Sequence, residues 1–189
     1  MFLSRLLGLF RRHRAPSAAQ RLHALIVQRA REPAFYAALG VPDTLDGRFE
    51  LIALHCFLAM HRLKAEPAGV DLARELVETM FADLDASLRE MGAGDLGVGK
   101  RIKMMGQGFY GRVAAYDAAL EDLTALEAAL QRNLYGTVAA PSAAILAIVG
   151  VYVMKCVQFL EKQSISDISS GFLEFPLIPA GLSPAPSRH

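Results

Sequence analysis

The chain has 189 residues, 53% hydrophobic and 21% charged, with a formal net charge of +1. That length supports one domain with a real core, and a charge so near zero excludes bulk attraction to nucleic acid. The charge is uneven, however: residues 1–31 hold seven arginines and no acid, leaving −6 on residues 32–189, so the basic leader suits an anionic partner.

The first segment, MFLSRLLGLFRRHR, has an amphipathic helical pattern. Phe2, Leu3, Leu6, Leu7, Leu9 and Phe10 share one broad face, with Arg5, Gly8 and Arg12 opposite. Its charges follow the apolar residues and no small-residue cleavage site appears, so it is no secretory signal. It is too short to span a bilayer. The expectation is reversible contact with a membrane surface. Phe2, Leu6, Leu9 and Phe10 would insert, and Arg5, Arg11, Arg12 and Arg14 would face anionic headgroups. Packing of the same residues onto the domain is the alternative.

Pro16 breaks the chain, and Ser17 is the expected N-cap of a helix to about Arg31. A short helix over Phe35–Leu39 ends at Gly40 and Pro42. Asp43 or Asp46 is the expected cap of the next helix, which runs to about Lys64. Its core, LIALHCFLAM, is apolar nearly all round and predicts burial on most sides. Glu66, Pro67 and Gly69 form a turn. Leu72, Leu76, Met80, Leu84 and Leu88 then recur at i+4, predicting a helix to Met91. Another helix runs from about Val98 to Ala119, and Val113, Tyr116, Leu120, Leu123, Leu126 and Leu130 carry the periodicity on to Arg132. Pro141–Ser142 opens the last helix, which has about a dozen strongly apolar residues before Lys155, too few for a span. The fold class is all-α: one domain of six to eight helices over residues 16–170. The helices Leu51–Met60 and Ala143–Phe159 form its centre. Residues 1–15 are a basic leader, and 171–189 an extended, then disordered, tail.

Chemistry is hard to find. His55 and His61 are six apart and do not share a helical face, so with Cys56 they make a poor metal cluster. Their expected roles are a buried hydrogen-bonded histidine and one at a helix end. Cys56 and Cys156 sit in apolar runs as small buried hydrophobes. No nucleophile elbow is visible. GDLGVGKR, residues 94–101, imitates a phosphate loop, but Arg101 stands where Ser or Thr must hold magnesium, and a helix precedes it where a strand is needed. Neither metal, cofactor nor nucleotide is therefore expected.

The block MGAGDLGVGKRIKMMGQGFYGR, residues 91–112, is the anomaly. Lys100, Arg101 and Lys103 fall in the first turns of a helix, where the macrodipole disfavours cations. Gly106, Gly108 and Gly111 lie inside it, and together these features cost roughly 3–4 kcal/mol of helix preference. Local rules are usually broken at functional sites. A partner surface of Lys100, Arg101, Lys103, Gly108, Phe109, Tyr110 and Arg112 is one reading, with Phe109 or Tyr110 at an accessible cleft. Close helix packing, with the cations paired to Glu90 or Asp95, is the other.

The text LREMGAGDLGVGKRIKMMGQGFYGR, residues 88–112, resembles the ubiquinol–cytochrome c chaperone family, and the resemblance extends over roughly residues 35–165. It implies an all-helical assembly chaperone for respiratory complex III that binds newly made cytochrome b and is not an enzyme. Mitochondrial members act with a small partner subunit at the ribosome exit; this sequence alone carries neither partner over. The chain's size and short N-terminus suit the bacterial kind, cytoplasmic and peripherally associated with the inner membrane. Two other classes remain open: a peripheral lipid-binding protein with an apolar helical pocket, and an enzyme holding phosphate at the Lys100 helix start.

Overall fold

The computed structural model describes residues 15–90, 95–139 and 141–178, with side chains of residues 95 and 96 left aside. The expected membrane-contact residues, 2–14, lie outside it. The described residues form eight α-helices and no strand: α1 (Ala18–Ala30), α2 (Pro33–Ala37), α3 (Leu45–Lys64), α4 (Val70–Glu90), α5 (Asp95–Asp117), α6 (Leu123–Asn133), α7 (Ala143–Glu161) and α8 (Ile165–Ser169). A single 3-10 turn, Pro67–Gly69, joins α3 to α4.

Starts of helices follow capping chemistry. Ser17 accepts from the Gln20 N–H, and the Gln20 side chain accepts from the Ser17 N–H, a complete capping box. Ser142 caps α7. At α3 the expected aspartates are not the cap. Thr44 accepts from the Gly47 N–H, while Asp43 is drawn to Arg48 and Asp46 to Arg101. The helix expected from about Val98 to Ala119 is α5, ending at Asp117; the periodicity that runs on to Arg132 is interrupted where residues 118–122 turn, and Asp122 caps a separate α6 through Thr124 and Ala125.

The core is built around α3, which packs on α1, α4, α5 and α7. Leu51, Leu54, Phe57, Leu58 and Leu63 are all buried, each contributing roughly 1.5–3 kcal/mol by leaving water. The long apolar helix α7 is less central than its composition suggests. It packs on α3 and α6, but Val151 and Phe159 on its far side are exposed. It is also the one described helix long and apolar enough to cross a membrane, by length and composition.

The first part of the tail lies on the body. Gly171, at φ +85°, turns the chain after α8 in a conformation that favours glycine, and Arg21 donates to the Ser170 carbonyl beside it. Residues 172–178 then run without helix. The Gln163 side chain bonds both backbone groups of Glu174, Leu173 is buried, and the Phe175 ring meets His55 edge-on at 5.0 Å.

Candidate functional site

The anomalous block forms most of α5, and the helix has two unlike faces. Inward, Val98, Phe109 and Tyr116 are buried, with Met105 and Val113 packed beside them. The Phe109 ring stands edge-on to Phe81 of α4 at 5.8 Å, and its exposure is 0%. Phe109 is thus a core residue and presents nothing to a partner. Its neighbour, one hundred degrees round the helix, is the exposed aromatic: Tyr110 is 61% exposed and Met104, on the same side, 62%. Lys100, Lys103, Gln107 and Gly111 complete this outer face.

Only one of the glycines is explained by the fold itself. A Cβ on Gly108 would lie 2.5 Å from the Arg112 guanidinium, which folds back over that position. Gly106 is in ordinary contact range of Phe81, and Gly97, Gly99 and Gly111 face open space. Close helix packing therefore does not account for most of them.

The cations divide in the same way. Arg112 forks onto Glu50 of α3, with Nε donating to Oε2 at 2.5 Å and a second guanidinium bond to Oε1. Glu50 is buried on α3, immediately before its apolar run LIALHCFLAM. Burial pushes its carboxyl up, and Arg112 only partly offsets this; the bond to Glu50 in turn raises the Arg112 guanidinium. Arg101 donates to Asp46 at 3.0 Å on the exposed surface. Among the described residues these acids, and not Glu90, are the partners of the two arginines. Lys100 and Lys103 are exposed and form no ion pair among the described residues.

Between the start of α3 and α5 lies a cleft of about 470 Å³, whose lining includes Phe49, Glu50, Lys100, Arg101, Met104 and Arg112. The fold thus gathers Lys100, Arg101 and Arg112 at one cleft, whose rim Lys100 and Met104 share with the outer face, and sets Lys103 and Tyr110 on that face beyond the cleft lining. Asp46, Glu50 and Met104 are contributors the sequence reading passed over. An acid directly abutting the apolar run LIALHCFLAM was the available signal for Glu50.

The histidines serve structure. Within the buried set Phe35, His55, Tyr152, the His55 ring sits 2.7 Å from the Leu51 carbonyl through Nδ1 and 2.9 Å from the Tyr152 hydroxyl through Nε2. Burial lowers its pKa to about 4, so the ring is neutral. His61 meets Asp117 at 3.0 Å near the end of α3. Among the described residues no three His, Cys, Asp or Glu side chains gather as a metal site. Burial also pushes the Cys56 and Cys156 thiols up to about 12, away from reactive thiolate.

Comparison with known proteins follows this geometry. A family described as "Ubiquinol-cytochrome C chaperone" matches residues 37–175. The chain is 31% identical over 146 residues to ubiquinol-cytochrome-c reductase complex assembly factor 1 of Xenopus laevis, covering 76% of this chain and 72% of that one. It is 28% identical over 153 residues to the Homo sapiens protein of the same name, covering 80% of this chain but only 51% of the human one. The crystal structure of the Cbp3 homolog from Brucella abortus superposes with a TM-score of 0.76 at 42% identity, covering 92% of this chain and 97% of that one.

Proposed function

The chain belongs to the ubiquinol–cytochrome c chaperone family, and from that premise we propose that it is an assembly chaperone for complex III, holding newly made cytochrome b on the outer face of α5. The observation that carries this reading is the pairing of exposed Met104 and Tyr110 with glycines that face open space. A nascent membrane protein offers apolar helices. Bare glycine backbone admits such a helix closely, and a methionine adapts its shape to whatever arrives. Lys100 and Lys103 supply exposed charge that no described residue pairs with.

The proposed role is binding, not catalysis. In the α3–α5 cleft Arg112 and Glu50 neutralise one another, and no poised acid–base pair is needed to hold a client. A cytoplasmic chaperone at the inner membrane suits a client that inserts there. A ribosome contact and a small partner subunit, as in the mitochondrial members, belong to the same proposal and lie outside what α5 itself supports.

Co-purification tests it. Cells making tagged chain are expected to yield newly made cytochrome b with the protein, and Lys100→Glu with Lys103→Glu is expected to reduce that yield several-fold while far-UV circular dichroism stays helical. Undiminished yield overturns the basic part of the surface. Co-purified lipid with no cytochrome b favours the lipid-binding alternative.

A further inference from the structure

A second depression, of about 350 Å³, lies between α1 and α4 with α3 as its floor. Phe49, Ile52, Met80 and Leu84 make the bottom apolar. The α4 wall carries Asp83 and Glu90, both exposed, and neither is ion-paired among the described residues. The opposite wall carries Arg31 and Arg48, the latter held by Asp43 at 2.6 Å. An apolar floor with one anionic wall fits an amphipathic, cationic helix.

We propose that the occupant is the chain's own N-terminal segment, residues 2–14, lying in the groove with its leucines and phenylalanines on the floor and with Arg12 against Asp83 and Arg5 against Glu90. Three observations meet here. Arg5 and Arg12 are seven apart on the polar side of the helix, at the edge that borders Leu9, and Asp83 and Glu90 are seven apart on α4; each interval is about 10 Å along a helix. The segment carries four arginines and no acid, against an acidic body. The described chain begins at Ala15, just before the Ser17 cap, and a 13-residue helix folded back from there runs about 20 Å, the length of α1 beside the groove. Asp83 is the acid that acts on His23, low on α1, so the end nearer residue 15 meets Arg12 first. The segment then has a resting place on the domain, and any membrane contact must compete with it. This inference does not depend on the client or on α5.

Hydrogen exchange on the full chain tests it without vesicles. Amides of residues 2–14 are expected to exchange about tenfold or more slowly than in the isolated peptide 1–14, at a rate independent of protein concentration. Arg5→Glu with Arg12→Glu is expected to restore the peptide rate. Adding Asp83→Lys and Glu90→Lys to that variant is expected to bring the slow rate back, with α3 protection unchanged throughout. Exchange at the peptide rate in the wild type overturns the proposal. So does protection that needs anionic vesicles, which marks a membrane element, or protection that rises with concentration, which places the segment on a second copy. Slow exchange untouched by the reversals overturns the assigned pairing.

Discussion

Helices α4 and α5 are neighbours of similar length, 21 and 23 residues, yet their outer faces follow different rules. The α4 exterior is charged and partly self-paired, with Arg74 on Asp71 and Arg89 on Asp85 at i,i+3 and i,i+4, and the helix contains no glycine. Such pairs add a few tenths of a kcal/mol each to a solvated helix. Within α5 there are five glycines, and no acid stands between Asp95 and Asp117. Its two arginines reach across to α3. Both helices bury an inner face. One exterior is built for water, and the other gives up about 1 kcal/mol per glycine to keep bare backbone, a methionine and a tyrosine outside.

The largest expected effect sharpens the inner–outer division of α5. Phe109→Ala should destabilise by about 3–5 kcal/mol in urea unfolding, as a buried aromatic does; Tyr110→Ala should change stability by less than about 0.5 kcal/mol. Equal losses would erase the division. Arg112→Ala should cost about 2–3 kcal/mol at pH 7, because it leaves the Glu50 carboxylate buried without its partner. Burial already raises that carboxyl, so in the variant stability is retained at low pH and lost as pH rises through the raised value. The deficit should therefore shrink as the pH is lowered from neutrality. Gly108→Ala should show a fraction of the same loss, since its Cβ would press on the Arg112 guanidinium that forks onto Glu50. At the small end, Gly111→Ala should stabilise by up to about 1 kcal/mol, while Ala82→Gly on the exposed side of α4 should cost a similar amount. If Gly111→Ala is destabilising, the open space beside it is not the reason for the glycine.

Much of this organisation is legible in the sequence. Ser17 with Gln20, Ser142 before an apolar run, and the all-round apolarity of LIALHCFLAM each announce an element through local chemistry. Other features depend on partners far along the chain. Thr44 stands directly before α3 and caps it, while Asp43 and Asp46 pair with Arg48 and Arg101, and the Arg101 contact spans 55 residues. The break between α5 and α6 hides in a periodicity that continues across it, among alanines that favour helix. Phe109 stands four residues before Val113 and seven before Tyr116, on the same helical stripe, so the periodicity already favoured it as the inner aromatic; reading the whole block as a partner surface passed over that signal. For α7, a helix apolar all round gives no sign of which stripe stays exposed. The basic, glycine-rich text of α5 was visible as an anomaly, but its acidic counterparts on α3 were not.

The most direct measurement places a photo-crosslinking amino acid at Met104, at Tyr110 and, as the control, at Glu78 on the exposed side of α4, in cells making cytochrome b. The account predicts capture of cytochrome b from positions 104 and 110 well above that from 78. Capture from 78 at the same level, or none from α5 while the protein still co-purifies with its client, would contradict it.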